Sequence, residues 1–369
     1  MSQKTVKNAF IFHRHKKIPF EIPSQWNILT FAKLDEYHSQ KDVRELTKNA
    51  LKNPIHAKAL KDSLSPSDKV AIIVEDLTRA SPKKLILETL MGELNAAHIS
   101  SENICVIIAL GTHRGLTPEE LESTFGREMI DRYEFVNHDC HATDLMPVGR
   151  LKTGRQVKIN RKVHEATFRI GIGSIFPHPM NGFGGGGKIL FPGVSDFDSI
   201  REQRDQVYDL VSGDLVQAHL AGIEKSRGII CQKFTKKSDL TIITSFPYAE
   251  GPQIVKPLAP AAMVTKEGGC IILAADCDGN LPEAFIESFE RFHSRYGDNL
   301  LGGVLDHFEN NRLIMEEGAI DFNMALAMTL AIQHRFKIIL VSKDITREVG
   351  EKMGFIYAEH LKEAFDLSA

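Results

Sequence analysis

The chain has 369 residues, 43% of them hydrophobic and 25% charged, and a net charge of −3. This globular composition suffices for two cores and leaves no electrostatic footprint for nucleic acid. No apolar run approaches the ~20 residues of a membrane span, and MSQKTVKNAF has no apolar signal core, so a cytoplasmic protein with no membrane partner is expected. Cys105, Cys140, Cys231, Cys270 and Cys277 are scattered and mostly lie in or near apolar strand-like runs, which predicts reduced core residues.

Residues 1 to 35 read as a small, mostly extended segment with Trp26 as its large aromatic. Asp42 to Leu64 has a helical stripe of Val43, Leu46, Leu51 and Leu60. Strands and helices then alternate. Val70 to Val74 is an apolar strand, Lys84 to Ala97 a helix, and Ile104 to Leu110 the next strand. Thr117-Pro118-Glu119-Glu120 starts another helix with a capping Thr and Pro at its first position. Short strands follow at Tyr133 to Asn137 and Val157 to Ile159, then a buried one at Phe168 to Phe176. Asp198 to Leu210 and Leu215 to Arg227 look helical, and Lys236-Lys237 marks a domain junction. Leu240 to Thr244, Cys270 to Ala274 and Lys337 to Val341 are further strands, with helices between. Uninterrupted apolar strands alternating with helices predict mostly parallel sheets covered on both faces. The expected architecture is two α/β domains, 1–235 and 236–369, with an interdomain cleft.

The stretch Pro177 to Gly193, PHPMNGFGGGGKILFPG, is the strongest local signal. Glycines from Gly184 to Gly187 let a ligand approach the backbone closely, and Lys188 can pair with a phosphate or act as an amine nucleophile. Gly182 to Lys188 fits G-x-x-x-x-G-K, but Ile189 replaces the magnesium-binding Ser or Thr, and Pro192-Gly193 stops the helix a P-loop requires. A dinucleotide loop at Gly171-x-Gly173 meets Phe176 where its third glycine belongs. Apolar flanks argue against a flexible linker.

Ligands of open parallel sheets bind beyond the carboxyl ends of strands. That rule selects Asp76, Thr78 and Arg79, then His113, then His178 and Lys188, then Tyr248, Gln253 and Lys256. Together they would make a cationic cleft for a carboxylate or phosphate. Each has a plainer reading. Asp76 and Thr78 could cap a helix, Arg79 could form a surface ion pair, the histidines could be structural, and Lys256 could be solvated. His138, Cys140 and His141 resemble metal ligands, but strand neighbours point to opposite faces and no second cluster completes a zinc site. His219 reads as a helix residue without chemistry.

These residues resemble the nickel-dependent lactate racemase family. The matching motifs are Asp76-Leu77-Thr78-Arg79, Gly111-Thr112-His113-Arg114, Pro177-His178-Pro179 with Gly182-Phe183 and Gly185-Gly186-Gly187-Lys188, and Pro192-Gly193. Gln253 and Lys256 also match, and the resemblance runs from about Leu51 to Ser342. It implies a racemase or epimerase of a lactate-like 2-hydroxy acid. Lys188 would carry a covalent nickel-pincer nucleotide supplied by cofactor-biosynthesis enzymes, with Asp76, Thr78, Gly185, Gly186 and Gly187 contacting it. His113 and His178 would be the acid/base pair, and Arg79, Gln253 and Lys256 would hold the small anionic hydroxy acid. Arg204 stands near where the family has its nickel-ligating histidine; arginine has no lone pair to give, so the metal ligands stay open. The competing expectation is a non-catalytic or divergent paralogue that holds a phosphate or nucleotide reversibly in the glycine loop.

The chemistry suits two histidines. The α-C–H of a hydroxy acid is a poor acid, so taking the hydroxyl proton while hydride leaves to a cofactor gives a planar keto acid. Hydride return on the other face inverts the centre. No side chain accepts hydride, and each enantiomer needs its own base.

Overall fold

The computed structural model describes residues 9–13, 16–31, 42–79, 81–178, 182–202, 214–230, 234–246, 248–279, 281–316 and 320–368. The chain forms two compact units, Leu34–Cys231, and Met1–Lys33 together with Gln232–Ala369.

The second of these begins with an antiparallel hairpin, β1 (Ala9–His13) and β2 (Lys16–Phe20). Residues before 34, counted with the first domain on sequence grounds, therefore group with the C-terminal unit. The cause is aromatic packing. Phe12 stacks on Phe246 with centroids 4.6 Å apart, and Trp26 meets Phe365 edge-on at 5.0 Å. His13 Nδ1 lies 2.6 Å from Asp276 Oδ1, which adds a polar tie.

The Leu34–Cys231 unit is built on β3 (Val70–Glu75), β4 (Ile104–Ala109), β5 (Glu134–Asn137) and β8 (Phe168–Ile172), in the order β5-β4-β3-β8, all parallel. Alternation along β3 sends its residues to two cores. Val70, Ile72 and Val74 join Leu87, Leu90 and Leu94 of the helix Lys83–Ala96 on one face. Ala71 and Ile73 join Val163, Ile189 and Val194 on the other. A small hairpin, β6 (Met146–Arg150) with β7 (Gln156–Ile159), stands apart from the sheet, and β9 (Pro177–His178) pairs with β10 (Gly182–Phe183). The C-terminal unit repeats the plan with β11 (Ser238–Thr244), β12 (Thr265–Ala274), β13 (Lys337–Val341) and β14 (Ile356–Ala358), also parallel and in sequence order. Two parallel α/β sheets are thus observed, as expected, and no helix among the described residues is long and apolar enough to cross a membrane.

Two elements differ from expectation. The helix expected over Asp42–Leu64 is broken into Val43–Lys52 and Leu60–Ser63, because Pro54 lacks an N–H and disfavours helical geometry at Asn53. The strand expected over Phe168–Phe176 stops at Ile172, level with the end of its partner β3. Glu75 then accepts from Ser174 N (2.7 Å) and Ser174 Oγ (2.6 Å), turning the chain out of the sheet.

Candidate active site

The register sets Glu75 opposite Ala109 and Val74 opposite Ile172, so β3, β4 and β8 end level with one another. The loops that leave these ends carry Asp76 to Arg79, His113, and His178 with Lys188. All belong to the Leu34–Cys231 unit.

Asp76 organises the first loop. It is 7% exposed; its Oδ1 accepts from Thr78 N (3.0 Å) and Thr78 Oγ1 (2.5 Å), and its Oδ2 meets His113 Nδ1. Burial alone would raise its pKa. The hydrogen bond and charge of His113, the Thr78 hydroxyl and the Arg79 charge outweigh it and bring the carboxyl down to about 2. A carboxylate that takes the Nδ1–H of His113 fixes the tautomer, leaving the basic lone pair on Nε2. Arg79 donates from Nη1 to Thr78 O (3.0 Å) and Oγ1 (2.9 Å) and lies over the Phe176 ring at 4.9 Å. Buried Lys83 donates to Arg79 O, and burial lowers its pKa.

Because the folded pKa of Asp76 lies below the ordinary aspartate value of 3.8, its stabilising contribution is complete above that value and is lost as pH falls towards 2. The contribution is about 2 kcal/mol, from ~1.4 kcal/mol per pKa unit. Urea unfolding between pH 5 and 2 should therefore show a steeper acid loss in the wild type than in Asp76→Asn; parallel curves would contradict the assignment.

The second loop holds the amine. Lys188 Nζ lies 3.0 Å from His178 Nε2, and His178 is 5% exposed. One proton serves that contact, either as an ammonium donating to imidazole or as an imidazole donating to a neutral amine. Gly185 and Gly186 take φ of +74° and +54°, open to glycine at little cost. A Cβ on Gly185 would lie 2.8 Å from Ser174 O, and one on Gly186 2.3 Å from the His219 ring. Gly186–Ile189 is a single 3-10 turn followed by Pro192, not the helix of a P-loop.

A backbone relay ties the two loops together. Lys188 O accepts from Gly193 N (3.1 Å), and Gly193 O accepts from Gly111 N (2.9 Å), two residues before His113. A Cβ on Gly193 would fall 2.1 Å from Ile189 O, so the relay requires glycine there.

The remaining expected residues belong to the other unit, make structural contacts, or lie outside the described set. Tyr248, Gln253 and Lys256 belong to the C-terminal unit, where Lys256 Nζ stands 5.5 Å from the Tyr248 ring centre. Gln253 is 7% exposed, and its buried Oε1 has no hydrogen-bond partner among the described residues, the condition of a group that can meet a ligand or a water. Arg204 and Cys231 lie outside the described residues. His138 Nε2 donates to Ser195 O (2.9 Å) and His141 packs on Phe197, both structural contacts. Among the described residues, His13, Asp276 and Asp344 bring ligand-type atoms within 4.8 Å of one another, in the C-terminal unit. Cys105, Cys140, Cys270 and Cys277 are buried and free, and burial pushes their thiols up to about 11 or 12.

Glu75, Lys83, Phe176 and His219 are missed by strand-end reasoning. Glu75 has a local signal, a carboxylate closing an apolar strand, and Lys83 reaches back four residues to Arg79; the contacts of Phe176 and His219 arise from tertiary docking.

Residues 13–209 match the model of the lactate racemase N-terminal domain, more than half of the chain. The chain belongs to the lactate racemase family. The lactate racemase of Thermoanaerobacterium thermosaccharolyticum is 26% identical, covering 98% of this chain and 94% of its own length. That of Lactiplantibacillus plantarum is also 26% identical, covering 68% and 70%. The fold is similar to the lactate racemase apoprotein of T. thermosaccharolyticum, with a TM-score of 0.79 at 25% identity over 98% of this chain and 94% of that one. A Thermotoga maritima protein shares the fold at a TM-score of 0.64 and 17% identity, covering 88% and 95%. Lactate racemases are isomerases, and this family member is assigned to that enzyme class with them.

Proposed function

We propose that the protein interconverts the enantiomers of lactate or a closely related 2-hydroxy acid, with Lys188 as the covalent anchor of a nickel-pincer nucleotide. The supporting observation is the Lys188 amine 3.0 Å from His178 Nε2, on a loop bonded through Gly193 to that of His113. The residues present fit the organic part of such a group. They offer an amine beside a proton acceptor and a glycine cradle at Gly185, Gly186 and Gly187 whose first two Cβ positions are already filled by neighbours. Arg204, the position that bears on nickel, lies outside the described residues.

When bound, the group supplies the hydride acceptor that no side chain provides. The chain's own residues supply the proton transfers and the grip on substrate. Asp76 keeps the Nδ1–H of His113 in place, so Nε2 takes the hydroxyl proton of one enantiomer and gives it back when that same enantiomer is re-formed. His178 serves the opposite hand. It takes the proton that leaves Nζ when the Lys188 amine becomes covalently committed, and the ring is then released for substrate. Arg79, braced by Phe176 and Thr78, presents a planar fork to the carboxylate. Asp76, Thr78 and the glycines hold the nucleotide.

Protein co-produced with cofactor-making enzymes and given one enantiomer of lactate in D2O should form the other with its α-hydrogen retained. Direct α-proton abstraction would instead wash deuterium in. Cofactor-loaded protein that exchanges no 2-hydroxy acid would overturn the racemase reading and favour a reversible binding protein.

A further inference from the structure

His219 lies on the helix Asp214–Ile230, remote in sequence from the glycine loop, yet its ring packs directly against that loop. Its Nε2–H donates to Gly184 O at 3.0 Å. Its ring occupies the space a side chain on Gly186 would need, with Cγ 2.3 Å and Nδ1 2.5 Å from the Cβ position. The same helix face continues the contact. Gly222, one turn on, admits Ile175 Cδ1 to within 2.3 Å of its own Cβ position, and Arg227 lies over the Phe183 ring at 5.6 Å. The helix thus grips both ends of the run from Ile175 to Gly186.

We propose that His219 is a positioning residue for Lys188. A glycine run has wide conformational freedom, and an amine at its end points in one direction only if the run is held. Backbone bonds hold it from within, among them Gly184 N to Phe176 O (2.8 Å), Lys188 N to Gly185 O (3.1 Å) and Leu190 N to Gly187 O (3.0 Å). His219 holds it from without, engaging the carbonyl of Gly184 and covering Gly186, immediately before the turn that carries Lys188. Glycine at 186 and histidine at 219 are therefore one device. The effect on catalysis rests on Lys188 being the cofactor anchor; the effect on the loop does not.

Four full-length variants test this: His219→Ala, His219→Gln, Gly186→Ala, and the double variant His219→Ala with Gly186→Ala. Hydrogen–deuterium exchange of the cofactor-free chain should show peptides covering 182–193 exchanging about 5–10-fold faster in His219→Ala, the loss of roughly one hydrogen bond. The rest of the unit should be unchanged. His219→Gln should recover most of the protection, because its Nε2–H can reach the same carbonyl. Gly186→Ala should also loosen the loop, but less than additively with His219→Ala, because the methyl then occupies the vacated space. In cofactor-loaded protein, His219→Ala should lower kcat with KM little changed. Loop exchange equal to wild type in His219→Ala, uniform loosening of the whole unit, or additive effects of the two substitutions would each overturn the proposal. Loop loosening in a chain whose Lys188 never becomes modified would leave the positioning role standing and remove the anchor reading instead.

Discussion

Alanine at His113 or at His178 is expected to lower turnover of cofactor-loaded protein by about 10^2–10^4-fold, the range for loss of a general acid or base. The two losses should differ in kind. His113 has its Nδ1 on Asp76, a buried carboxylate, whereas His178 has its Nε2 on the Lys188 amine. His113→Ala should therefore leave covalent loading intact and impair proton transfer alone. His178→Ala should also slow loading, because the acceptor beside Nζ is gone. With separate enantiomers as substrate, each variant should hold back the half-reaction its imidazole starts, detected as slower formation of keto acid from one hand than from the other. The double variant should fall short of the product of the single losses, since either missing base already blocks completion of the cycle. Turnover within 3-fold of wild type in either single variant would remove that histidine from the mechanism.

Substitution of Lys188 by Ala or Arg should take racemisation to the background rate. Arginine keeps the positive charge but stays protonated, so it offers no nucleophilic nitrogen for covalent attachment. If Lys188 were only a phosphate counter-charge, Lys188→Arg would retain a substantial share of function. The pair of variants therefore separates a covalent role from an electrostatic one, which Lys188→Ala alone cannot do. The Gly193 relay starts from the backbone carbonyl of residue 188, so neither substitution removes it, and folding should be preserved.

Apolar β-branched runs such as Val70–Glu75 and Ile104–Ala109 make the parallel sheets legible in sequence, because strands covered on both faces carry no polar alternation. The strand-end rule then picks out Asp76, His113 and the loop of Lys188, the last two with punctuating glycines beside them. Other parts of the molecule depend on contacts that no local pattern encodes. Trp26 reads as an isolated aromatic until Phe365, more than 300 residues on, packs against it. His219 reads as one more helical position until the docking of its helix sets it over Gly186. Phe176 passes for the end of a buried strand, but the Glu75–Ser174 bonds have already turned the chain away, and its ring meets Arg79 instead.

The central claim is that the amine at 188, held beside His178, becomes the attachment point of a nucleotide cofactor. Intact mass and peptide mapping of the chain co-produced with cofactor-making enzymes, beside Lys188→Ala prepared identically, test it most directly. The expected result is an added mass of nucleotide size confined to the peptide containing Lys188 and missing from the variant. An unmodified wild-type chain from cells that do load a known lactate racemase, or the same added mass on both proteins, would contradict it.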